Sequence, residues 1–279
     1  MAKTLSDTLR VGPRPVRLAD YPTDATPGFR GGRKKGRAAL EELAGKVGDL
    51  QERLYAESRG GGTRSLLLVV QGMDTSGKGG VMRHCVGLLD PQGVQITAFK
   101  APTPAERRHD FLWRVERHVP PPGMISIFDR SHYEDVLIAK VHGLVASDVI
   151  RSRYAAINAF EKRLAEAGTT VVKCFLHISK DAQAQRLRAR LDDPTKHWKF
   201  NPHDIDERRR WEDYRRAYEL ALQRCSTAGA PWFVIPSDHK WYRDWAVTTL
   251  LLEHLRRLDP QWPKGDFDVE EQRGRLTAS

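Results

Sequence analysis

Cysteine is scarce in this 279-residue chain, and the spacing of its three cysteines argues against two kinds of site. Cys85, Cys174 and Cys225 are odd in number and far apart. They form no Cys-x-x-Cys pair and no Cys/His spacing typical of a metal site. We therefore expect no disulfide framework and interpret the three thiols as buried or incidental.

Long apolar runs are also missing. The longest purely aliphatic run, Leu66 to Val70, is far shorter than the roughly 20 residues that a membrane span requires. Met1 to Pro15 has no apolar core like that of a signal peptide. Seven Trp, nine Phe and seven Tyr, spread through the chain, argue against disorder of its bulk. We expect a soluble cytoplasmic protein with no membrane partner.

Acidic residues are outnumbered, with 46 Lys and Arg against 36 Asp and Glu and a net charge of +10 when histidines are neutral. This excess predicts a polyanionic partner. Residues 1–64 carry half of it, with 13 basic and 8 acidic residues. We predict an extended basic arm to about Arg37, then one helix from Ala38 to about Glu57. Its apolar residues recur at three- and four-residue spacing, at Leu40, Leu43, Val47, Leu50 and Leu54.

From Ser65 onward, short apolar runs alternate with helical segments. The predicted strands are 66–70, 94–99, 124–128, 170–176 and 232–235. The predicted helices are 78–89, 104–118, 147–167, 180–191, 204–224 and 239–257. This alternation predicts an α/β fold of three layers, with helices on both faces of a parallel sheet. Ligands should then bind at the carboxyl ends of the strands.

The first strand runs into a glycine-rich loop that fits Gly-x-x-x-x-Gly-Lys, with Gly72, Gly77 and Lys78 at the defining positions. The glycines permit turns that direct successive N–H groups inward. The following helix, with Gly79 and Gly80 in its first turn, directs its positive end at the same point. The sequence therefore predicts a phosphate-binding cradle. A glycine-rich turn with a surface lysine is the alternative, disfavoured because strand, spacing, lysine and helix all agree.

A metal ion is predicted from an unusual feature of this loop. Gly79 stands where the Ser or Thr that binds magnesium usually follows the lysine. Asp74, inside the loop, would repel phosphates unless a divalent cation lay between them. We therefore expect Mg²⁺, with Mn²⁺ as an alternative, and Asp74 as a ligand.

A second carboxylate ends the third strand, where Asp129 is followed by Arg130. A hydrophobic strand ending in Asp resembles a Walker B element, which places a carboxylate beside the phosphate loop. Arg130 can hold a phosphate oxygen through two parallel hydrogen bonds. Taken alone, such a pair would more often be a cap or a surface ion pair, but the phosphate loop favours the functional interpretation.

Arginines are frequent after the fourth strand. Arg186 and Arg190 are four residues apart and project from one face of a helix, whereas Arg188 points elsewhere. This position matches the lid of nucleotide kinases, where mobile arginines close over the transferred phosphoryl group. For any one of these arginines, the alternative interpretation is a position on a solvated helix face without a role in binding. We expect Trp198 and Phe200 to anchor the lid rather than to stack on a base.

Four segments resemble, in order, the motifs of the polyphosphate kinase 2 family. They are Gly72–Gly80, Thr103-Pro104 with His109–Arg114, Phe128–Leu137, and Arg190–Pro194 with Lys196–Phe200. The resemblance covers about residues 40–265, and a missing Ser or Thr after Lys78 is the family's own pattern. The residues of these motifs look most like those of the single-domain class that phosphorylates both AMP and ADP. That class often has Asn where this chain has Asp129. We expect the extra negative charge to alter nucleotide preference or metal binding.

The resemblance implies reversible phosphoryl transfer between inorganic polyphosphate and a nucleotide, on a thymidylate-kinase-like P-loop kinase fold with a helical lid. Asp74 and Asp129 would be the essential carboxylates that hold the metal and position the phosphates. The implied phosphate- and nucleotide-binding residues are Gly72, Gly77, Lys78, Gly79, Gly80, Arg130, Glu134, Arg186 and Arg190. Adenine nucleotides are the expected partners, with guanine as an alternative base, and family analogy implies a homo-oligomer.

The expected organisation is a basic arm plus helix at 1–63, a phosphotransferase domain at 64–265 with its lid at about 181–225, and a loosely packed tail at 266–279. An ATP-dependent nucleoside monophosphate kinase is the first rival, because it shares sheet, loop and lid. The basic excess and the loop from Asp74 to Gly79 disfavour it. A nucleic-acid-binding protein is the second rival, disfavoured because the basic residues lack an RNA-binding motif or interleaved aromatic platform.

Overall fold

A five-stranded parallel sheet forms the centre of the computed structural model, which describes residues 3–12 and 15–279. Its strands are β1 (Ser65–Gln71), β2 (Val94–Ala98), β3 (Ile125–Asp129), β4 (Thr169–His177) and β5 (Trp232–Pro236). They lie in the order β2-β3-β1-β4-β5 with every neighbouring pair parallel. All five predicted strands are confirmed to within one residue. Because β1 is central, the loop after it opens at the middle of the carboxyl edge.

Helices cover both faces of this sheet, which confirms the three-layer α/β fold. They are α1 (Leu5–Leu9), α2 (Arg33–Arg59), α3 (Lys78–His84), α4 (Trp113–Glu116), α5 (Ile138–Val141), α6 (Ser147–Glu166), α7 (Lys180–Leu191), α8 (His203–Arg209), α9 (Trp211–Cys225), α10 (Lys240–Leu258) and α11 (Val269–Thr277). Alternate residues of β1 enter opposite cores. Val69 packs in the core that includes α6 and α9, and Leu68 in the core that includes α2, α3 and α10.

The N-terminal segment is not the extended arm that the sequence predicted. A capping box at Thr4 starts α1, and Leu5 and Leu9 are buried in the core beneath α10. Val16 and Leu18 enter the other core. The apolar side chains between the basic residues therefore anchor this segment to the sheet. Of the predicted arm, Met1, Ala2, Pro13 and Arg14 lie outside the described residues.

Helix α2 begins at Arg33 rather than at Ala38, so part of the predicted basic arm is helical. Gly36 is buried there, and a Cβ atom on it would lie 2.1 Å from Cε3 of Trp241 on α10. Glycine usually weakens a helix, but here its small size permits close packing of two helices. The tertiary contact extends the helix beyond what local propensity indicates.

Three other predicted helices differ from the structure. The helix predicted over 78–89 ends at His84 and is followed by a 3₁₀ turn at Val86–Leu88. Residues 104–118 hold only a 3₁₀ turn at Glu106–Arg108 and the short helix α4. Side chains compete with a continuous helix there, because Thr103 pairs with the backbone of Glu106 and Asp110 accepts the N–H of Leu112. The predicted helix 204–224 is divided at Arg210 into α8 and α9.

The C-terminal tail contains a helix that the sequence analysis did not predict. Asp268 caps α11 by accepting the N–H groups of Glu270 and Glu271. The helix buries none of its side chains, so local capping rather than packing accounts for it. Across the described ranges, no helix combines the length and apolarity that crossing a membrane requires.

Candidate active site

The phosphate loop lies at the centre of the carboxyl edge, between β1 and α3. Gly77 has a φ of +116°, which favours glycine over other residues. A Cβ atom on Gly77 would lie 1.8 Å from Nη1 of Arg243, and one on Gly80 would lie 2.3 Å from its Nη2. A Cβ on Gly79 would have no atom within 4 Å. The Arg243 guanidinium, held by Asp244 on α10, therefore requires glycine at positions 77 and 80 but not at 79.

The Lys78 ammonium folds back onto the loop. Its Nζ donates to the carbonyl oxygen of Gly72 at 2.8 Å and lies 3.4 Å from that of Met73. An ammonium group has three donors, so this arrangement leaves donor capacity for a phosphate oxygen. The helix that Lys78 begins directs its N-terminal N–H groups to the same place.

Asp74 and Arg130, which the sequence separates by more than fifty positions, form an ion pair. Nη2 of Arg130 lies 3.1 Å from Oδ1 of Asp74, and the two side chains are 37% and 29% exposed. The strand register explains the proximity, since Asp129 at the end of β3 lies opposite Val70 of β1. Arg130 has a φ of +65° and donates its backbone N–H to the carbonyl oxygen of Val70. Two carboxylates and an arginine thus lie at one sheet edge.

An open cavity of about 40 Å³ borders this ion pair. Its charged lining residues are Asp74, Arg130, Glu134, Glu207 and Arg208. Burial raises the pKa of Glu134 above its ordinary value, although Arg130 and Lys78 oppose the shift. Its apolar and aromatic lining includes Met73, Leu137, Ile138, Trp211, Tyr214 and Tyr218. We call this space the aromatic cavity; a lining that combines charged groups with aromatic rings suits a nucleotide.

A second and larger cavity, of about 840 Å³, lies between α2, α3 and α10. Its basic lining residues are Arg33, Arg37, Arg83, Lys240 and Arg243, against the acidic Glu41, Asp238 and Asp244. We call it the basic cavity. Arg243 lines this cavity and also lies against Gly77 and Gly80, so the cavity adjoins the phosphate loop.

Arg186 supports the loop from behind. One of its guanidinium nitrogens donates to the carbonyl oxygens of Thr75 and Ser76, each at 2.9 Å, and the other to those of Ser237 and Asp238. Burial, followed by the charge of Arg243, lowers the pKa of Arg186 to about 10. Its donors are thus directed at protein carbonyls, and its role as a phosphate ligand stays a prediction.

Arg190 lies one helical turn further along α7 and contacts the lid segment itself. Its Nη1 donates to the carbonyl oxygen of Lys199 at 3.0 Å and lies 3.5 Å from Asp204. Burial, followed by the charge of Asp74, raises the pKa of Asp204, so this carboxyl is within electrostatic reach of the loop. The expectation that Trp198 anchors the lid is wrong, because its ring is 78% exposed. Phe200 is half-buried.

The sequence analysis missed the aromatic lining of the cavity and three polar residues beside the loop. Arg243 lies against the loop glycines, Asp204 pairs with Arg190, and Gln183 donates to the carbonyl oxygen of Asp74 at 2.9 Å. Gln183 lies three residues before Arg186 on α7, so helical spacing could have placed it near the loop. Arg243 and Asp204 had no such signal, because only the tertiary fold brings α10 and α8 to the sheet edge.

The residues present fit a magnesium ion. No group of three or more His, Cys, Asp or Glu that could hold a metal occurs in the described part of the chain. Magnesium needs no such cage, because it commonly binds one or two carboxylates together with substrate phosphates and water. Asp74 and Asp129 at the sheet edge are such a pair. The hydroxyls of Thr75 and Ser76 are buried in the loop without a protein hydrogen-bond partner, which adds polar oxygens there.

Comparisons with known proteins give four concordant results. A family model described as Polyphosphate kinase 2 (PPK2) matches residues 31–263. The AMP/ADP-polyphosphate phosphotransferase of Meiothermus ruber is 46% identical over 254 residues, 91% of this chain and 94% of that protein. The ADP-polyphosphate phosphotransferase of Rhodopseudomonas palustris is 38% identical over 261 residues, 89% of each. A crystal structure of polyphosphate kinase 2 from Arthrobacter aurescens TC1 matches with a TM-score of 0.97 and 51% identity, over 100% of this chain and 98% of that one.

Proposed function

The chain belongs to the polyphosphate kinase 2 family, and from this premise we propose that it transfers the terminal phosphoryl group of inorganic polyphosphate to ADP and AMP, reversibly and with magnesium. Two relatives that match most of its length are named for this chemistry. The observation that carries the proposal is the basic cavity beside the phosphate loop. An excess of basic side chains at the loop suits a long polyanion as the phosphoryl donor.

The two cavities divide the substrates by their chemistry. Polyphosphate is a repeating anion without an apolar part, so the basic cavity suits it. A nucleotide has an aromatic base and a sugar, so the aromatic cavity suits the acceptor. Because Asp74 lines the aromatic cavity and Arg243 of the basic cavity lies against the loop, the donor's and the acceptor's terminal phosphates would meet beside Asp74 and Arg130.

The reaction requires one displacement at phosphorus. An oxygen of the acceptor's terminal phosphate forms a new bond to the terminal phosphorus of polyphosphate, and the P–O–P anhydride bond behind that phosphorus breaks. The leaving group is polyphosphate shortened by one phosphate. Because the attacking oxygen is already anionic, we assign no general base, and positioning and charge neutralisation remain the tasks of the protein.

Residues of the loop and its neighbours perform these tasks in our proposal. Lys78 and Arg130 hold phosphate oxygens, Arg190 approaches from the lid, and Asp129 orients the attacking oxygen. Asp74 and Asp129 would hold magnesium, which when bound supplies neutralisation of the phosphate charge. Cytoplasmic location and a homo-oligomeric state belong to the same proposal and are supported by the sequence analysis.

The test is to incubate the purified protein with Mg²⁺, long-chain polyphosphate and either AMP or ADP, and to separate the nucleotides by chromatography. We expect ADP to become ATP and AMP to become ADP and ATP. A parallel reaction with ATP as the only donor to AMP tests the rival, an ATP-dependent monophosphate kinase. Failure to form ATP from ADP at every polyphosphate chain length would refute the proposal. GMP and GDP in the same assay measure the base preference.

A further inference from the structure

The segment that follows β3 sends its side chains in two directions. Arg130 pairs with Asp74, and Glu134 lines the aromatic cavity. Between them, His132 and Tyr133 are fully buried on the core side. The residues that face the site are therefore connected, through one short stretch of backbone, to residues that face the interior.

This stretch begins in an unfavourable conformation. Arg130 has a φ of +65°, in the left-handed region that favours glycine. Such a conformation persists only where the surrounding structure holds it in place. The hydrogen bond from its N–H to the carbonyl oxygen of Val70 is one such restraint. The next residues must supply the others.

His132 and Tyr133 are held by a buried ion pair between Glu161 on α6 and Lys173 on β4. Tyr133 donates its hydroxyl to Oε1 of Glu161 at 2.7 Å, and Nε2 of His132 lies 3.2 Å from the same oxygen. Nζ of Lys173 lies 2.5 Å from Oε2 of Glu161 and donates to the Tyr133 hydroxyl at 2.9 Å and the carbonyl oxygen of Cys225 at 2.6 Å. We call His132, Tyr133, Glu161 and Lys173 the buried quartet.

Stability alone gives a poor account of the Glu161–Lys173 pair. Both side chains are at most 1% exposed, and removing two charges from water offsets much of their attraction. Burial acts to raise the pKa of Glu161, but the Lys173 ammonium and the hydrogen bond to His132 outweigh it and lower the pKa below its ordinary value. The carboxylate is thus charged, and its oxygens accept hydrogen bonds from defined directions. Apolar residues would fill the same space without aligning His132 and Tyr133.

We propose that Glu161 and Lys173 are positioning residues for phosphoryl transfer, which act by holding His132 and Tyr133 and thereby fixing Arg130 and Glu134 at the site. The inference rests on the proposed function, in which Arg130 holds a phosphate oxygen. Neither Glu161 nor Lys173 touches the substrate, because the core encloses both.

The experiment is a double-mutant cycle between the ion pair and Arg130. Glu161→Leu combined with Lys173→Met removes both charges together, so neither is left unpaired in the core. We expect kcat for ATP formation to fall at least tenfold in this variant. In an Arg130→Ala background, the same two substitutions should lower kcat by less than threefold further, because most of their effect passes through Arg130 and only the part that passes through Glu134 remains. Thermal unfolding temperatures report the effect on the fold separately.

The matched control is a different buried polar pair, which joins β1 to β4. The hydroxyls of Ser65 and Thr169 lie 2.9 Å apart at the start of these strands, at the opposite end of the sheet from the phosphate loop. Ser65→Ala with Thr169→Val should leave kcat within twofold of wild type. An equal loss in this control would overturn the inference, because it would show that the loss of any buried polar pair in the core has the same effect.

A milder variant covers the case in which the double substitution prevents folding. Tyr133→Phe removes one hydroxyl and keeps the ring packed on Trp232. We expect kcat to fall at least threefold, with little change in the KM for polyphosphate. The inference would be refuted if folded variants of the buried quartet keep the wild-type kcat. It would also be refuted if the double substitution lowers kcat by the same factor in the Arg130→Ala background as in wild type. Either result would leave the proposed function standing. A wild-type protein inactive with polyphosphate would refute the proposed function and this inference with it.

Discussion

Replacing Asp74 with asparagine separates the catalytic role of this carboxylate from its contribution to folding. The ion pair with Arg130 spans 3.1 Å, and both side chains are about one-third exposed. Exposed pairs of this kind stabilise a fold by about 0–1 kcal/mol. For a chain of this size, a loss of that order shifts the unfolding temperature by about 2–4 °C at most. The folded state should therefore survive Asp74→Asn nearly unchanged.

The same substitution should have a much larger effect on turnover. A carboxylate that holds the metal and positions the phosphates stabilises the transition state by about 3–5 kcal/mol, which corresponds to roughly 10²- to 10⁴-fold in rate. We therefore expect kcat for ATP formation from ADP and polyphosphate to fall by that factor. The assay is nucleotide chromatography over a range of enzyme concentrations, with Mg²⁺ in excess.

Asp49→Asn is the matched control for this prediction. Asp49 pairs with Arg53 on α2 at 2.9 Å, with side chains 48% and 33% exposed, so the two ion pairs are alike in length and exposure. The control should keep wild-type turnover and show a similarly small shift in unfolding temperature. If Asp74→Asn retains kcat within threefold of wild type, or if the control loses as much, the assignment of Asp74 to the reaction is refuted.

Three further predictions concern the loop, the basic cavity and a buried carboxyl. Gly80→Ala should lower both turnover and unfolding temperature, because its Cβ would lie 2.3 Å from Arg243. Gly79→Ala should fold normally, and equal unfolding temperatures for the two variants would contradict this prediction. Arg37→Ala should raise the KM for long polyphosphate at low salt and less so at high salt, and a KM independent of salt would contradict a role in capture. Because burial raises the pKa of Glu134, wild type should lose stability relative to Glu134→Gln as pH rises above 4.5, the ordinary value. Urea unfolding between pH 4 and pH 8 measures that difference, and a constant difference would refute it.

The strands were predictable because their signal is local. Each is a short β-branched or apolar run, and burial on both faces of a parallel sheet requires little else. The loop from Gly72 to Lys78 was equally clear, since its glycines and lysine act within a few residues of one another. By contrast, the helix expected over 104–118 failed because Thr103 and Asp110 bond to nearby backbone groups.

The predicted basic arm failed for a tertiary reason. Composition pointed to a solvated segment, but Leu5, Leu9 and Leu18 find places in cores that local sequence does not show. Gly36 similarly weakens a helix in isolation and yet lies inside α2, because it admits Trp241. Such contacts join residues that are far apart in the chain, so propensity and periodicity cannot report them.

The sequence by itself determined the alternation of strands and helices, the phosphate loop with Asp74, and the family, because these signals lie within short segments. Only the tertiary structure decided that Arg186 donates to loop carbonyls, that Trp198 is exposed, and that Arg243 shapes the loop from α10. The physical reason is that the direction of a long side chain depends on which buried carbonyls and charges lie within its reach. Those partners are assembled only when the sheet and its helices pack together.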